Sequence, residues 1–184
     1  MKNHRAVLFV LIVLTLGLAG CRARTDRSEG TVLLTISRFD GLPTIVSVGA
    51  LGASPAPVTI DEIVIRNIPK DSTGTTSDLQ SVELRSYEVR FRRRDTGTRV
   101  PPPTVQGIFG LVPVNGTTTL NNLPFLLSDQ ILSPPLRDLR DFGRDQETGT
   151  TVIVLDVTIR FFGRTLSGDE VSTEPATFTI EVRP

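Results

Sequence analysis

The sequence predicts an all-β fold: an antiparallel sandwich of about seven to nine strands with one short helix. Three observations carry that prediction. From Thr151 to Phe162, Ile153, Leu155, Val157, Ile159 and Phe161 alternate with Asp156, Thr158 and Arg160, and a period of two returns from Ala176 to Arg183. That period belongs to strands with one buried face. Turn-forming clusters cut the rest of the chain into short segments. Only Ser133 to Phe142 carries a convincing helical signal.

The chain opens outside this pattern. Lys2 and Arg5 precede an almost wholly apolar run, which closes in Leu18-Ala19-Gly20-Cys21 with the only cysteine. A basic start, a short apolar core and a small-residue cleavage site make a secretory signal, residues 1–20. The apolar core is about fourteen residues long, whereas a bilayer-spanning helix needs about 20. Leu18-Ala19-Gly20-Cys21 resembles the lipobox of bacterial lipoproteins. The resemblance implies that the Cys21 sulfur receives a diacylglyceryl group, that the chain is cut between Gly20 and Cys21, and that the freed amine is often acylated. Each buried methylene contributes about 0.8 kcal/mol, and two chains suffice for stable anchoring. The partner so implied is a membrane, reached through lipid on Cys21. Arg22 follows the cysteine. In lipoproteins of two-membrane bacteria Asp at that position often marks inner-membrane retention. The resemblance thus implies a cell-envelope protein, on the outer membrane facing the periplasm or the surface where the cell has two membranes.

Residues 21–30 are polar and charged and read as a flexible tether. Fully extended, they reach about 30 Å. Arg22, Arg24 and Arg27 can meet anionic headgroups, each contributing about 1 kcal/mol near the surface. The folded domain is expected over 31–184, a size that can bury roughly 68–70% of its unfolded surface without disulfides. Thr31 to Ser37 and Pro43 to Val48 are its first strand candidates. Gly49 to Pro57 breaks the chain, and Val58 to Ile68 resumes it with Ile60, Ile63 and Ile65. After a loop from Pro69 to Asp78, Ser81 to Arg94 is a long strand whose apolar phase changes midway. Val82 and Leu84 share one parity, while Tyr87, Val89 and Phe91 share the other, which predicts a bulge near Arg85-Ser86.

Asp95 to Thr98 reads as a turn, and Pro101 to Pro103 as an edge or loop. Ile108 to Val114 and Thr117 to Leu120 are expected to pair as a hairpin around Asn115-Gly116. In the helix, Ser133 is the expected cap, Pro134 fits the first turn, and Gly143 ends it. The two C-terminal strands are expected to pair antiparallel, with Gly163 and Gly168 in their connection. The layout of residues 31–184 is similar to the immunoglobulin-like and fibronectin-like modules of bacterial surface proteins, without their core tryptophan or a disulfide. The likeness is one of pattern, and it transfers no functional residue.

Composition narrows the chemistry. His4 leaves with the signal, so the mature chain has no imidazole for Ser-His-Asp or Cys-His catalysis. It has no free thiolate for zinc, and no glycine-rich phosphate loop opens a helix. No cofactor or metal is expected. Lys plus Arg equals Asp plus Glu over the whole chain at 20 each, so no global field draws nucleic acid. Asp138, Asp141, Asp145 and Glu147 surround the short helix and suggest calcium, but Arg137, Arg140 and Arg144 interleave with them. The reading of those acids is therefore solvated ion pairs, and Asp169 with Glu170 reads as a polar hairpin tip. Arg90, Arg92 and Arg94 share one strand face, with Arg99 beyond the turn. That row suits an acidic partner, a headgroup or an anionic glycan, and equally a solvent-facing strand guarded against aggregation.

The leading expectation is a non-enzymatic envelope lipoprotein, a structural or protein-interaction module with a protein partner of unknown identity. Two other classes stand beside it. A small-ligand-binding lipoprotein calls for a closed apolar cavity. A carboxylate-dependent hydrolase calls for two acids about 5–10 Å apart in one cleft.

Overall fold

The structure, a computed structural model, describes residues 30–52 and 54–184. The signal peptide, its cleavage site at Gly20 and Cys21, and nearly all of the tether lie outside the described residues. The fold is all-β. Two sheets face each other, and two short helices close one end.

The strands are β1 (Val32–Asp40), β2 (Ile45–Ser47), β3 (Val58–Pro69), β4 (Val82–Arg93), β5 (Thr104–Val112), β6 (Thr117–Leu126), β7 (Ile153–Thr165), β8 (Glu170–Ser172) and β9 (Ala176–Arg183). The smaller sheet runs β1-β3-β6, and the larger runs β2-β9-β7-β4-β5, with β8 also paired to β7. All neighbours are antiparallel except β2, which runs parallel to β9. The N-terminal segment therefore serves both sheets, β1 in one and β2 in the other.

The core lies between the sheets. Ile60, Ile63 and Ile65 of β3 meet Leu84, Tyr87 and Val89 of β4 and Leu155, Val157 and Phe161 of β7, all buried. Burial of such side chains contributes about 1.5–3 kcal/mol each. Phe125 meets Phe178 edge-on at 5.4 Å, and Tyr87 lies 5.8 Å from Phe161. The Tyr87 hydroxyl donates to the Pro124 carbonyl of the opposite sheet at 2.7 Å, and burial pushes its phenol pKa up to about 12. The buried Asn67 amide donates to the carbonyls of Gln80 and Val112, a further tie across the sandwich.

The expected bulge is present. The register of β4 shifts between Leu84 and Ser86 against both β5 and β7. Gly163 sits opposite Leu84 inside β7, not in the connection, because a Cβ there would lie 2.6 Å from the Glu83 carbonyl oxygen. β7 and β9 pair antiparallel as expected.

Two further expectations are corrected. Asn115-Gly116 does make a turn, with Asn115 at φ 57° and the Gly116 amide bonded to the Pro113 carbonyl at 2.9 Å. However, the strands on either side do not pair with each other: β5 joins β4 and β6 joins β3, so the turn carries the chain from one sheet to the other. The expected helix over Ser133 to Phe142 starts later, and a separate turn of helix precedes it: α1 (Ser128–Ile131) and α2 (Leu136–Phe142) are separated by a cis Pro134-Pro135 bond. Pro135 is the residue before α2, and the Ser133 hydroxyl instead donates back to the Asp129 carbonyl at 2.7 Å. Gly143, left-handed at φ 68°, ends α2 as expected.

Candidate functional site

Alternation along β4 sets two arginine environments side by side. Arg90 and Arg92 point outward with side chains 67% and 82% exposed, and Arg94 continues the row at 59%. Arg93, on the opposite parity, has a side chain only 2% exposed. The strand thus separates a displayed row from one buried cation.

The displayed row is partly neutralised by its neighbours. Arg90 pairs with Glu88 at 2.8 Å, and the hydrogen bond and charge of Glu88 hold its guanidinium pKa above the ordinary value. Arg92 and Arg94 converge on Asp156 of β7 at 3.0 and 3.6 Å, where the Thr179 hydroxyl also donates at 2.8 Å. Burial works against the Asp156 charge. The Thr179 hydroxyl and the two arginines outweigh it and keep the carboxyl below its usual range. Beside the row, Glu88, Arg90, Thr158, Arg160 and Pro175 line a shallow open groove of about 230 Å³. Arg160 lies over the Phe162 ring at 5.4 Å and donates to Ser172 and to the Thr173 carbonyl. The outer face of the larger sheet is therefore a lattice of alternating charges, suited to a polar surface rather than to an enclosed apolar ligand.

Arg93 holds a different arrangement. It grips Asp95 through two bonds of 2.6 and 2.7 Å, and reaches Asp145 at 3.0 Å and Glu147 at 3.5 Å. The Thr148 amide and hydroxyl donate to Asp145 at 3.0 and 2.7 Å. Glu147 accepts from the amides of Thr98 and Arg99 and from the Thr98 hydroxyl. The loop after α2 is thereby clasped to the 95–99 turn through one cation. Desolvation opposes charge on Arg93, but the hydrogen bonds it donates to Asp95 and Asp145, with their charges, raise its pKa overall. Asp95, Asp145 and Glu147 are all held below their usual ranges. The Arg93 bond dominates at Asp95 and the Thr98 hydroxyl at Glu147, while at Asp145 the Thr148 and Arg93 bonds overcome burial.

This corrects the expectation of solvated ion pairs around the helix. Asp145 is 1% exposed and belongs to a buried network. Asp138, also buried, lies within 4.0 Å of Arg99 and 3.5 Å of Arg137, and Asp141 pairs with Arg140 at 2.8 Å. Asp145 and Glu147 thus share Arg93, while Asp138 and Asp141 face other arginines. Among the described residues no group of three His, Cys, Asp or Glu side chains is placed to hold a metal ion. Sequence reasoning missed Arg93 as a centre, although its parity with Val89 and Phe91 was the signal. A cation on a buried strand face needs buried anions.

Among the described residues no helix is long and apolar enough to cross a membrane. Compared with known proteins, the chain matches no family model, no curated protein and no solved structure.

Proposed function

We propose that this chain is a lipid-anchored lipoprotein of the bacterial cell envelope, acting as a non-enzymatic structural or protein-interaction module. The carrying observation is Leu18-Ala19-Gly20-Cys21 at the end of a charged, then apolar, leader. The tether is short, which keeps the domain close to the surface that holds the lipid. In this reading the domain is an immunoglobulin-like sandwich. Its orders β1-β3-β6 and β9-β7-β4 follow the A-B-E and G-F-C orders of that architecture, with no fourth strand beside β6 among the described residues and with β5 added beside β4. The engagement of Asp95, Asp145 and Glu147 by arginine and backbone amides favours a scaffold over proton transfer. The outward row Arg90, Arg92 and Arg94 is the part of this scaffold offered to an acidic partner.

The test is Cys21→Ser followed by cell fractionation and mass measurement of the mature N-terminus. The expected result is loss of membrane association and of the acyl mass. Unchanged membrane association in that variant overturns the reading.

A further inference from the structure

Among the described residues β5 is an edge strand of the larger sheet, its ladder shared with β4 alone; only near its end do the Thr118 hydroxyl and the Asn67 amide, from the smaller sheet, reach the Leu111 and Val112 carbonyls. Sheet edges are normally guarded, because unpaired amides and carbonyls template another strand. The other edges carry guards. β1 has a register shift and the charges of Arg38 and Asp40, β2 is three residues long, and β6 contains Pro124 and turns Thr117, Thr119 and Asn121 outward. β5 has no charge and no proline within its nine residues, and no charged residue occurs between Arg99 and Asp129. Its outward side chains are apolar instead: Val105 is 64% exposed, Phe109 82% and Leu111 48%. Its one irregularity is the step opposite Arg85, where two β5 residues face one of β4.

We infer that β5 pairs antiparallel with β5 of a second copy of this chain, joining two larger sheets edge to edge about a two-fold axis. A two-fold axis sets each strand against its own sequence, so any charge near the axis meets its like. β5 meets that condition by carrying none. Shape complies as well. Centring the pairing on Ile108 sets Phe109 across from Gly107 of the second copy and Val105 across from its Leu111. Gly107 has open space where a Cβ would stand, leaving a notch for the facing ring. Pro103 and Pro113 bound the strand, so the pairing stops after about 30 Å and closes as a dimer. A lipid surface fits this edge poorly, since unpaired backbone groups cannot enter hydrocarbon.

The test is sedimentation velocity of the full chain in mild detergent over a concentration series, beside Phe109→Lys. Phe109 is exposed, so the variant should keep its circular dichroism and melting temperature. Expected are a concentration-dependent dimer for the unaltered chain and a dissociation constant raised by about tenfold or more in the variant. Register is read by oxidising a Val105→Cys, Leu111→Cys double variant. Covalent dimers should exceed those of either single change, which also controls for Cys21. A monomer at every concentration, a dimer indifferent to Phe109→Lys, or vesicle binding that depends on Phe109 in a monomer overturns the inference.

Discussion

Arg92 and Arg93 are consecutive residues of one strand, with the same side chain and carboxylate partners at comparable distances. Arg92 meets Asp156 at 3.0 Å with its side chain 82% exposed, and Arg93 meets Asp145 at 3.0 Å with its side chain 2% exposed. Distance therefore does not distinguish the two pairs; solvent does. A pair whose cation stays in water, as Arg92 does beside the buried Asp156, is screened and loses side-chain entropy, so its net contribution is about 0–1 kcal/mol. A buried cation has surrendered its hydration and depends on every anion around it. The outer pair is free to exchange partners, while the inner one is committed to the fold.

The comparison can be broken by experiment. Arg93→Ala leaves Asp145 buried without its cation and should destabilise the domain by about 3–5 kcal/mol in urea unfolding. A loss below about 1 kcal/mol would make the two arginines equivalent. Gly97→Ala should cost about 1–3 kcal/mol by the same measurement, because a Cβ at Gly97 collides with the Arg93 guanidinium. Acid supplies a third probe. Asp95, Asp145 and Glu147 titrate below their ordinary 3.8, 3.8 and 4.5 in the fold, so the unfolded chain takes up protons first. Their stabilisation is whole above about pH 5 and is lost as pH falls through the lowered folded values. Unfolding curves between pH 6 and 2 should show this loss, and Arg93→Ala should flatten it. The smallest effect belongs to Arg92→Ala, at most about 1 kcal/mol, with a double-mutant cycle against Asp156→Ala giving a coupling no larger.

Much of this frame was legible in the sequence where period and burial coincide. β7 and β9 followed from their alternating apolar residues, β3 from its apolar Ile60, Ile63 and Ile65, and the phase change between Leu84 and Tyr87 located the β4 bulge. The Asn115-Gly116 turn was legible as local chemistry. The destination of the strands beyond it was not, since sheet membership depends on which distant strand offers a partner. α1 was missed because its four residues, Ser128–Ile131, make a single turn, too short to show a period, whereas Leu136, Leu139 and Phe142 marked α2. Gly163 looked like a turn residue because the backbone approach from Glu83 comes from a strand far away in sequence. Of the candidate site, the outward row was visible from alternation. The Arg93 clasp was not, since Asp145 and Glu147 reach it from a loop about fifty positions further on.

The registers Val32 to Pro69 and Arg93 to Leu155 put the start of β1 and the Arg93 clasp at opposite poles of the sandwich. In the lipoprotein proposed above, the clasp therefore lies at the pole away from the anchor. Loops at such a tip usually waver. Here a buried cation staples two of them together, so whatever approaches from that side meets a stiff, preshaped cap.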